Sequence, residues 1–312
     1  MAFWPAFFAT RTAGPKWGFC PDGSAEGSGG QDPLRVREIW KKARRTAKIR
    51  DYLRAGRVPW SRGYEEYRED QLELTLRPGN PHPDPLPEGF GTGLDERIVE
   101  IPWLFSRLPS GAARLLDAGS TLNREICLEH PLLRQRKVHV CTLEPEADCF
   151  WQKGVSYLFE DLRRLPYRDG WFDEVACLSV LEHIGMDNTR HYTKDARFQE
   201  AAPDGAIFAM KEFFRVLRPG GTLYLTVPFG RAVSHGWLRI FDRAGLEELL
   251  GSFPATRREI CVYRYSVRGW QACRMEEAAD AVFFDVHAGK PWTPPQPACS
   301  GAVCCVALQK SA

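Results

Sequence analysis

Three acids sit where a nucleotide-type cofactor would need them. Asp117 closes a short apolar run at 113–117 and is followed at once by the small-residue turn Ala118, Gly119, Ser120. Glu144 closes VHVCTLE, and Asp161, between Glu160 and Leu162, closes VSYLFEDL. An adenosine-bearing ligand needs a backbone approach at a glycine turn, an acid after the second strand for its ribose hydroxyls, and a polar contact near its ring. One acid after a strand is commonplace, often as the cap of the next helix. Three in succession fall on the edge where open α/β sheets bind ligands, and together they point to a site.

The elements that would position these acids follow from the apolar pattern. Short β-like runs fall at 113–117, 138–143, 155–159, 173–180, 222–229, 259–267 and 302–309. Helical stretches lie between them, most clearly IFAMKEFFRVL and FDRAGLEELL. In the first, Ile207, Met210, Phe213, Phe214 and Leu217 form one stripe, and Pro219-Gly220-Gly221 stops it. Strands alternating with helices predict a mostly parallel sheet covered on both faces. The closing strand AVCCVALQK is expected to pair antiparallel at or near the sheet edge. Before it, residues 268–300 carry Trp270, Trp292 and four prolines without a regular pattern, as a cap or a disordered excursion would.

The first ninety residues read differently. Residues 1–33 form a Gly-, Ser- and Pro-rich leader that begins with the apolar MAFWPAFFAT, too short and too poorly flanked to be a signal peptide. Between Arg35 and Arg62 there are eleven Lys and Arg against Glu38 and Asp51 alone. Val36, Ile39, Trp40, Ala43, Ala47 and Leu53 recur at helical spacing there, so a basic amphipathic helix is expected to end near Gly56. Its stripe would pack on the main domain, face a phosphate-bearing partner (nucleic acid, nucleotide-sugar or anionic lipid), or meet another protein. The acidic GYEEYREDQLELTL is expected to fold against it. A Pro- and Gly-rich linker then places the domain boundary near Gly93, giving a leader (1–33), a basic helical extension (34–92) and a main domain (93–312) with acceptor-side insertions at about 185–206 and 268–300. The following helix, with Leu94, Ile98, Ile101, Phe105 and Leu108 on one face, must kink or restart at Pro102.

Bulk properties exclude some classes. With 312 residues, 44% apolar, 26% charged and a net charge of +2, the chain is no global electrostatic glove for nucleic acid. It holds no apolar run of the length a bilayer span needs. Its ten cysteines show no CxxC pair, so no zinc site is expected, and reduced, buried thiols in a cytoplasmic protein are.

In order and spacing, LLDAGST, TLEPE, FEDLRRLPYRDGWFDEVACLSVLEHIG and FFRVLRPGGTLYLTVPFG, from about residue 114 to 230, resemble the successive motifs of class I S-adenosylmethionine-dependent methyltransferases of the type 11/23 kind. The resemblance implies a Rossmann-like seven-stranded sheet with its last strand antiparallel, and S-adenosyl-L-methionine as cofactor. It places Asp117, Ala118, Gly119 and Ser120 under the methionine part, Glu144 on both ribose hydroxyls, and Asp161 on the adenine amino group. Leu162 offers a backbone contact to the ring, and Ser179 lines the methionine end. Where the family carries a second glycine, this chain has Thr121, whose Cβ restricts positive φ. The turn is therefore expected to be reshaped, with Ser120, Thr121 or Asn123 adding polar contacts.

The sulfonium brings the reactive methyl, so the protein aligns the acceptor and removes a proton where one must leave. Glu182 and His183 follow the fourth strand, where similar enzymes place acceptor-facing groups, and His183 has a suitable ordinary pKa for a general base. They could equally cap a turn. His191, Tyr192, His235 and Trp237 lie in loops on the same edge as acceptor-pocket candidates. Trp60, Trp103, Trp270 and Trp292 could stack on a planar acceptor or pack the core. No NPPY-type tetrapeptide follows the fourth strand, and LSVLEHIG resembles enzymes acting on small molecules, so a small-molecule or saccharide acceptor is expected, with O-, N- or C-methylation open and O- or N-methylation favoured. An RNA acceptor gripped by the basic helix, or a binding module impaired at Thr121, are the alternatives.

Overall fold

A computed structural model describes residues 33–77, 85–189 and 195–311. The strands fall close to the apolar runs: β1 (Ala113–Ala118), β2 (Arg136–Thr142), β3 (Ser156–Phe159), β4 (Phe172–Leu178), β5 (Leu217–Pro228), β6 (Ala255–Ser266), β7 (Gly269–Cys273) and β8 (Ala302–Lys310). They form one sheet in the order β3-β2-β1-β4-β5-β8-β6-β7. β1 to β5 pair in parallel, whereas β8 runs antiparallel to both neighbours. The order reverses beside β1, which opens the crevice at the carboxyl ends of β1 and β4.

Two expectations need correction. The sheet has eight strands rather than seven, because the start of the supposed irregular excursion folds back on β6 as β7. And β8, antiparallel as expected, is an inner strand: it is wedged between β5 and β6, with unbroken register to β6 from Ala302 to Gln309 and a shift before Lys310. Its continuous burial from Ala302 to Val306 is what an inner strand covered on both faces requires.

Alternation along each strand divides two cores. Leu116, Val175, Cys177, Leu223 and Leu225 face α4 (Gly205–Val216) and α5 (Arg243–Gly251), meeting Met210, Phe213, Leu246 and Leu249. Leu115, Ala176, Leu178 and Tyr224 point the other way, onto α3 (Arg97–Phe105), whose span runs on through Pro102. Tyr52 of α1 (Pro33–Arg54) and Tyr64 and Leu72 of α2 (Tyr64–Thr75) join that second core. The acidic segment does fold against the basic helix, with Lys48 bonded to Glu66 and Arg45 to Glu73 at 3.4 Å. The nine described cysteines are all free; Cys127, Cys141, Cys177, Cys304 and Cys305 are buried, and Cys149, Cys261, Cys273 and Cys299 are only partly so.

The amphipathic stripe of α1 is another matter. Ile39 is 61% exposed and Trp40 72%, and Leu53 is exposed too. The stripe faces away from the domain because α2 takes the opposite side, where its acids reach Arg45 and Lys48. Among the described residues no helix is long and apolar enough to cross a membrane.

Candidate active site

The β1 exit is a tight turn held by its own backbone. Gly119 sits at φ +103° and Ser120 at φ +66°, and the Gly119 amide donates to the Cys141 carbonyl of β2 at 2.8 Å. Only glycine adopts the first of these angles readily. Thr121, in contrast, is not a positive-φ residue, so its Cβ carries no conformational penalty. Its buried hydroxyl donates to the Leu178 carbonyl at 3.0 Å and ties the β1 exit to the end of β4. The left-handed residues of this turn are Gly119 and Ser120, and Thr121 contributes its hydroxyl instead. Asn123 also bonds within the fold, donating to the Asp148 carbonyl and accepting from the Tyr157 hydroxyl at 2.7 Å.

Asp117 is fully buried; its Oδ2 accepts from the Leu122 amide at 2.9 Å, while its Oδ1 has no partner. Burial pushes its pKa up to about 7, against the pull of the Leu122 amide. An orphaned buried carboxylate oxygen calls for a cation or donor to be brought to it. In front of this turn lies a cavity of about 380 Å³. Gly119 and Val180 form one end, Leu143, Phe159, Asp161 and Leu162 the next wall, and His183 and Asn188 the side toward the β4 exit. Glu144 follows Leu143 as a partly exposed carboxylate whose pKa burial and Asp195 raise. Of the cofactor-site candidates, Gly119, Asp161 and Leu162 line this cavity, whereas Asp117, Ala118, Ser120 and Glu144 are not among its lining residues.

Asp161 is already engaged. Arg163 donates Nε to both its oxygens, at 3.0 and 2.9 Å, and Nη2 at 2.6 Å. The same guanidinium reaches Glu200 at 2.7 and 2.8 Å, drawing the 195–200 segment across the outer wall. A base amino group would share Asp161 with Arg163. This clamp went unread in the sequence because nothing in the spacing of Asp161 and Glu200 marks them as one site.

Ser179 does not line the cavity. It stands at φ +46° with its Oγ bonded to Glu100 of α3, and its amide donates to the Thr226 carbonyl at 3.0 Å. Glu100 also accepts from Thr226 Oγ1 at 2.6 Å and pairs with Arg97 at 2.8 Å. Arg97 in turn donates to the Leu178 carbonyl at 2.7 Å. A buried ion pair on α3 thus clamps the exits of β4 and β5, and Ser179 belongs to that clamp.

Beyond β4, a short 3-10 turn (Leu181–His183) separates the two catalytic candidates. Glu182 is buried outside the cavity lining, and burial and Glu100 push its pKa well up. Its carboxyl is therefore not brought to the cavity where a base would act. His183 lines the cavity and stacks on Trp237 with centroids 5.4 Å apart. Its Nδ1 lies 3.1 Å from the Trp237 carbonyl, which can only accept, so Nδ1 carries the proton and Nε2 keeps its lone pair. Burial lowers its pKa to about 4, which keeps the ring neutral at pH 7.

The hairpin of Val233–Ser234 and Arg239–Ile240 brings His235 and Trp237 to this edge, as the sequence suggested. His235 faces Asp285 at 3.6 Å and Phe283 at 5.1 Å, and Trp237 meets His287 at 5.3 Å. Residues 283–287 of the long excursion therefore complete an aromatic wall around His183. His191 and Tyr192 lie outside the described residues. Of the remaining tryptophans, Trp103 and Trp270 are wholly buried, and Trp60 and Trp292 donate to backbone carbonyls at 2.8 and 3.0 Å; these are packing residues.

Residues 132–225 match the family model described as a methyltransferase domain. Over 155 residues the chain is 24% identical to a tRNA (carboxymethyluridine(34)-5-O)-methyltransferase of Arabidopsis thaliana, covering 46% of this chain and 31% of that protein. The chain thus spans about a third of that curated relative. Among solved structures it is similar to a Burkholderia thailandensis 1,6-didemethyltoxoflavin-N1-methyltransferase with bound S-adenosylhomocysteine (14% identity, 92% of this chain, 94% of that one, TM-score 0.41). A SAM-dependent methyltransferase from Methanosarcina mazei is likewise similar (16%, 67% and 97%, TM-score 0.40).

Proposed function

We propose that this chain, which carries a methyltransferase domain of the class I S-adenosylmethionine-dependent kind, methylates an oxygen or nitrogen of a small-molecule or saccharide acceptor held against the His183–Trp237 wall. The observation that carries the reading is the neutral His183, which lines the cofactor-sized cavity and stacks on an aromatic residue of the acceptor-side hairpin. The cofactor supplies an activated methyl on a sulfonium. Asp117, with its free Oδ1, suits the cationic amino end of that molecule. Glu144 suits its ribose, and Asp161 with Leu162 its base.

His183 is a weak base, so it would take the acceptor proton only as methyl transfer makes that proton acidic. The Nδ1–H tautomer leaves Nε2, which lies 3.9 Å from a Glu182 oxygen, as the nitrogen for that task, and Trp237 offers a ring plane for stacking. A macromolecular acceptor is the competing reading, favoured by the plant relative's tRNA substrate.

Calorimetry with S-adenosylmethionine is the first test. Asp117→Ala and Glu144→Ala are each expected to weaken binding at least about tenfold, the loss of a charge-assisted hydrogen bond or two; unchanged affinity in both would move the site elsewhere. For the chemistry, a mass-based screen would find a metabolite that gains one methyl when cofactor is supplied. With that acceptor, His183→Ala should lose about 10²–10⁴-fold in kcat while cofactor affinity stays within a few fold. Full turnover by this variant would leave His183 a packing residue.

A further inference from the structure

The outward face of α1 presents an apolar stripe with no element against it among the described residues. Ile39, Trp40, Ala43, Ala47 and Leu53 fall within a little over a third of the helical circumference at 100° per residue, on the side opposite Tyr52, Lys48 and Arg45, which face α2. Ile39, Lys42, Ala43, Thr46, Ala47 and Arg50 line a shallow groove along it. Exposed Lys42 and Arg44 border the stripe and exposed Arg37 lies just beyond it, while exposed Arg50 and Arg54 fall on it toward its C-terminal end. At 22 residues the helix is about 33 Å long, enough to lie flat on a surface as several turns of contact.

We infer that α1 docks this protein in the plane of an anionic lipid surface. The charge arrangement selects that occupant. A nucleic-acid grip places its cations at the centre of the face, where phosphates can meet them. Here the face is apolar around Ile39, Trp40 and Ala43, the cations Arg50 and Arg54 enter it only toward its C-terminal end, and Arg45 and Lys48 are turned toward the acids of α2. A bilayer interface rewards the opposite pattern. It takes up an Ile and a Trp at the depth of the headgroup–acyl boundary, while long basic side chains at the rim reach back to anionic headgroups. Trp40, the most exposed large apolar side chain of the described residues, is the residue type enriched at such interfaces. The excess of base over acid in residues 35–62, eleven against two, supplies the attraction.

The test uses the full chain and vesicles of phosphatidylcholine with or without about 30% phosphatidylserine, a composition in the range that gives a negative surface potential. Partition onto the anionic vesicles is expected to exceed that onto neutral ones at least about tenfold and to fall as salt is raised. The double variant Ile39→Ser, Trp40→Ser, with both substitutions at exposed positions remote from the cavity lining, should lose most of that partition while binding S-adenosylmethionine as before. The inference is overturned if anionic vesicles are not bound, or if the double variant binds them unchanged. It is equally overturned if the substitutions abolish binding to a tRNA mixture, or self-association in sedimentation, in a protein that ignores vesicles. The first of these results would assign the face to nucleic acid and the second to another copy of the chain.

Discussion

Replacing Gly119 with alanine is expected to abolish measurable S-adenosylmethionine binding and to cost about 2–4 kcal/mol of stability. Two independent penalties add. The residue sits at φ +103°, outside even the left-handed basin that Asn or Asp tolerate. A Cβ built there would overlap both methyl groups of Val180, a β-branched side chain with little rotamer freedom. Val180 lines the same cavity, so any accommodation pushes it into ligand space. Nor can the turn swing aside, because the Gly119 amide is bonded to Cys141 of the neighbouring strand. Thermal denaturation and calorimetry on the same preparation would separate the two effects. Ser120→Gly is the control: its φ of +66° suits glycine, so binding should survive. A Gly119→Ala protein that binds cofactor like the parent would show that this turn does not carry the site.

That turn was legible in the sequence because its chemistry is local. A strand end, an acid and a glycine within seven residues constrain each other whatever the rest of the chain does. The same holds for the acids after β2 and β3, and for the runs that became β1 to β6. What escaped notice depends on contacts made over long sequence separations. Arg97 and Glu100 look like an ordinary i,i+3 surface pair, yet every residue of α3 from Arg97 to Phe105 is buried. Periodicity marked one apolar face of that helix and had no means of showing that its polar face points at the β4 exit. Ser179 was assigned to the cofactor by its place in the motif, and Glu100, 79 residues away, captures it instead. Trp270 was read as part of an irregular lid. It is core because β7 pairs with β6, and its indole then donates to the Leu94 carbonyl at 3.1 Å. The stripe on α1 was correctly periodic, but periodicity gives a face and not what covers it.

The α3 clamp sets the other large expected effect. Arg97→Met should destabilise the protein by about 3–5 kcal/mol, the cost of leaving a buried carboxylate without its cation. Glu100 is wholly buried and would keep only hydroxyl donors, from Ser179 and Thr226. Glu96 and Glu182 stand in the same electrostatic environment, Glu96 held up at about 8 by burial and by Asp95, and Glu182 pushed up by burial and by Glu100. The pH dependence follows from proton uptake. A carboxyl whose folded-state pKa lies above its unfolded value binds more protons when folded, so stability falls as pH rises between those two values. Arg97 is the cation that pulls Glu96 and Glu182 back down, so its removal sends both further above their unfolded values. The gap between parent and variant should therefore be narrower at pH 5, where Glu96 keeps its proton in both folded proteins, and widen as pH passes about 8, where the parent gains from ionising it and the variant does not. Arg97→Lys, which keeps the charge but not the reach to both Glu100 and the Leu178 carbonyl, should lie between the two. Melting curves of the three proteins at pH 5 and pH 9 decide the matter. A gap that does not change with pH would mean that Arg97 stabilises α3 by packing, and that the carboxylates at the β4 exit are not what it neutralises.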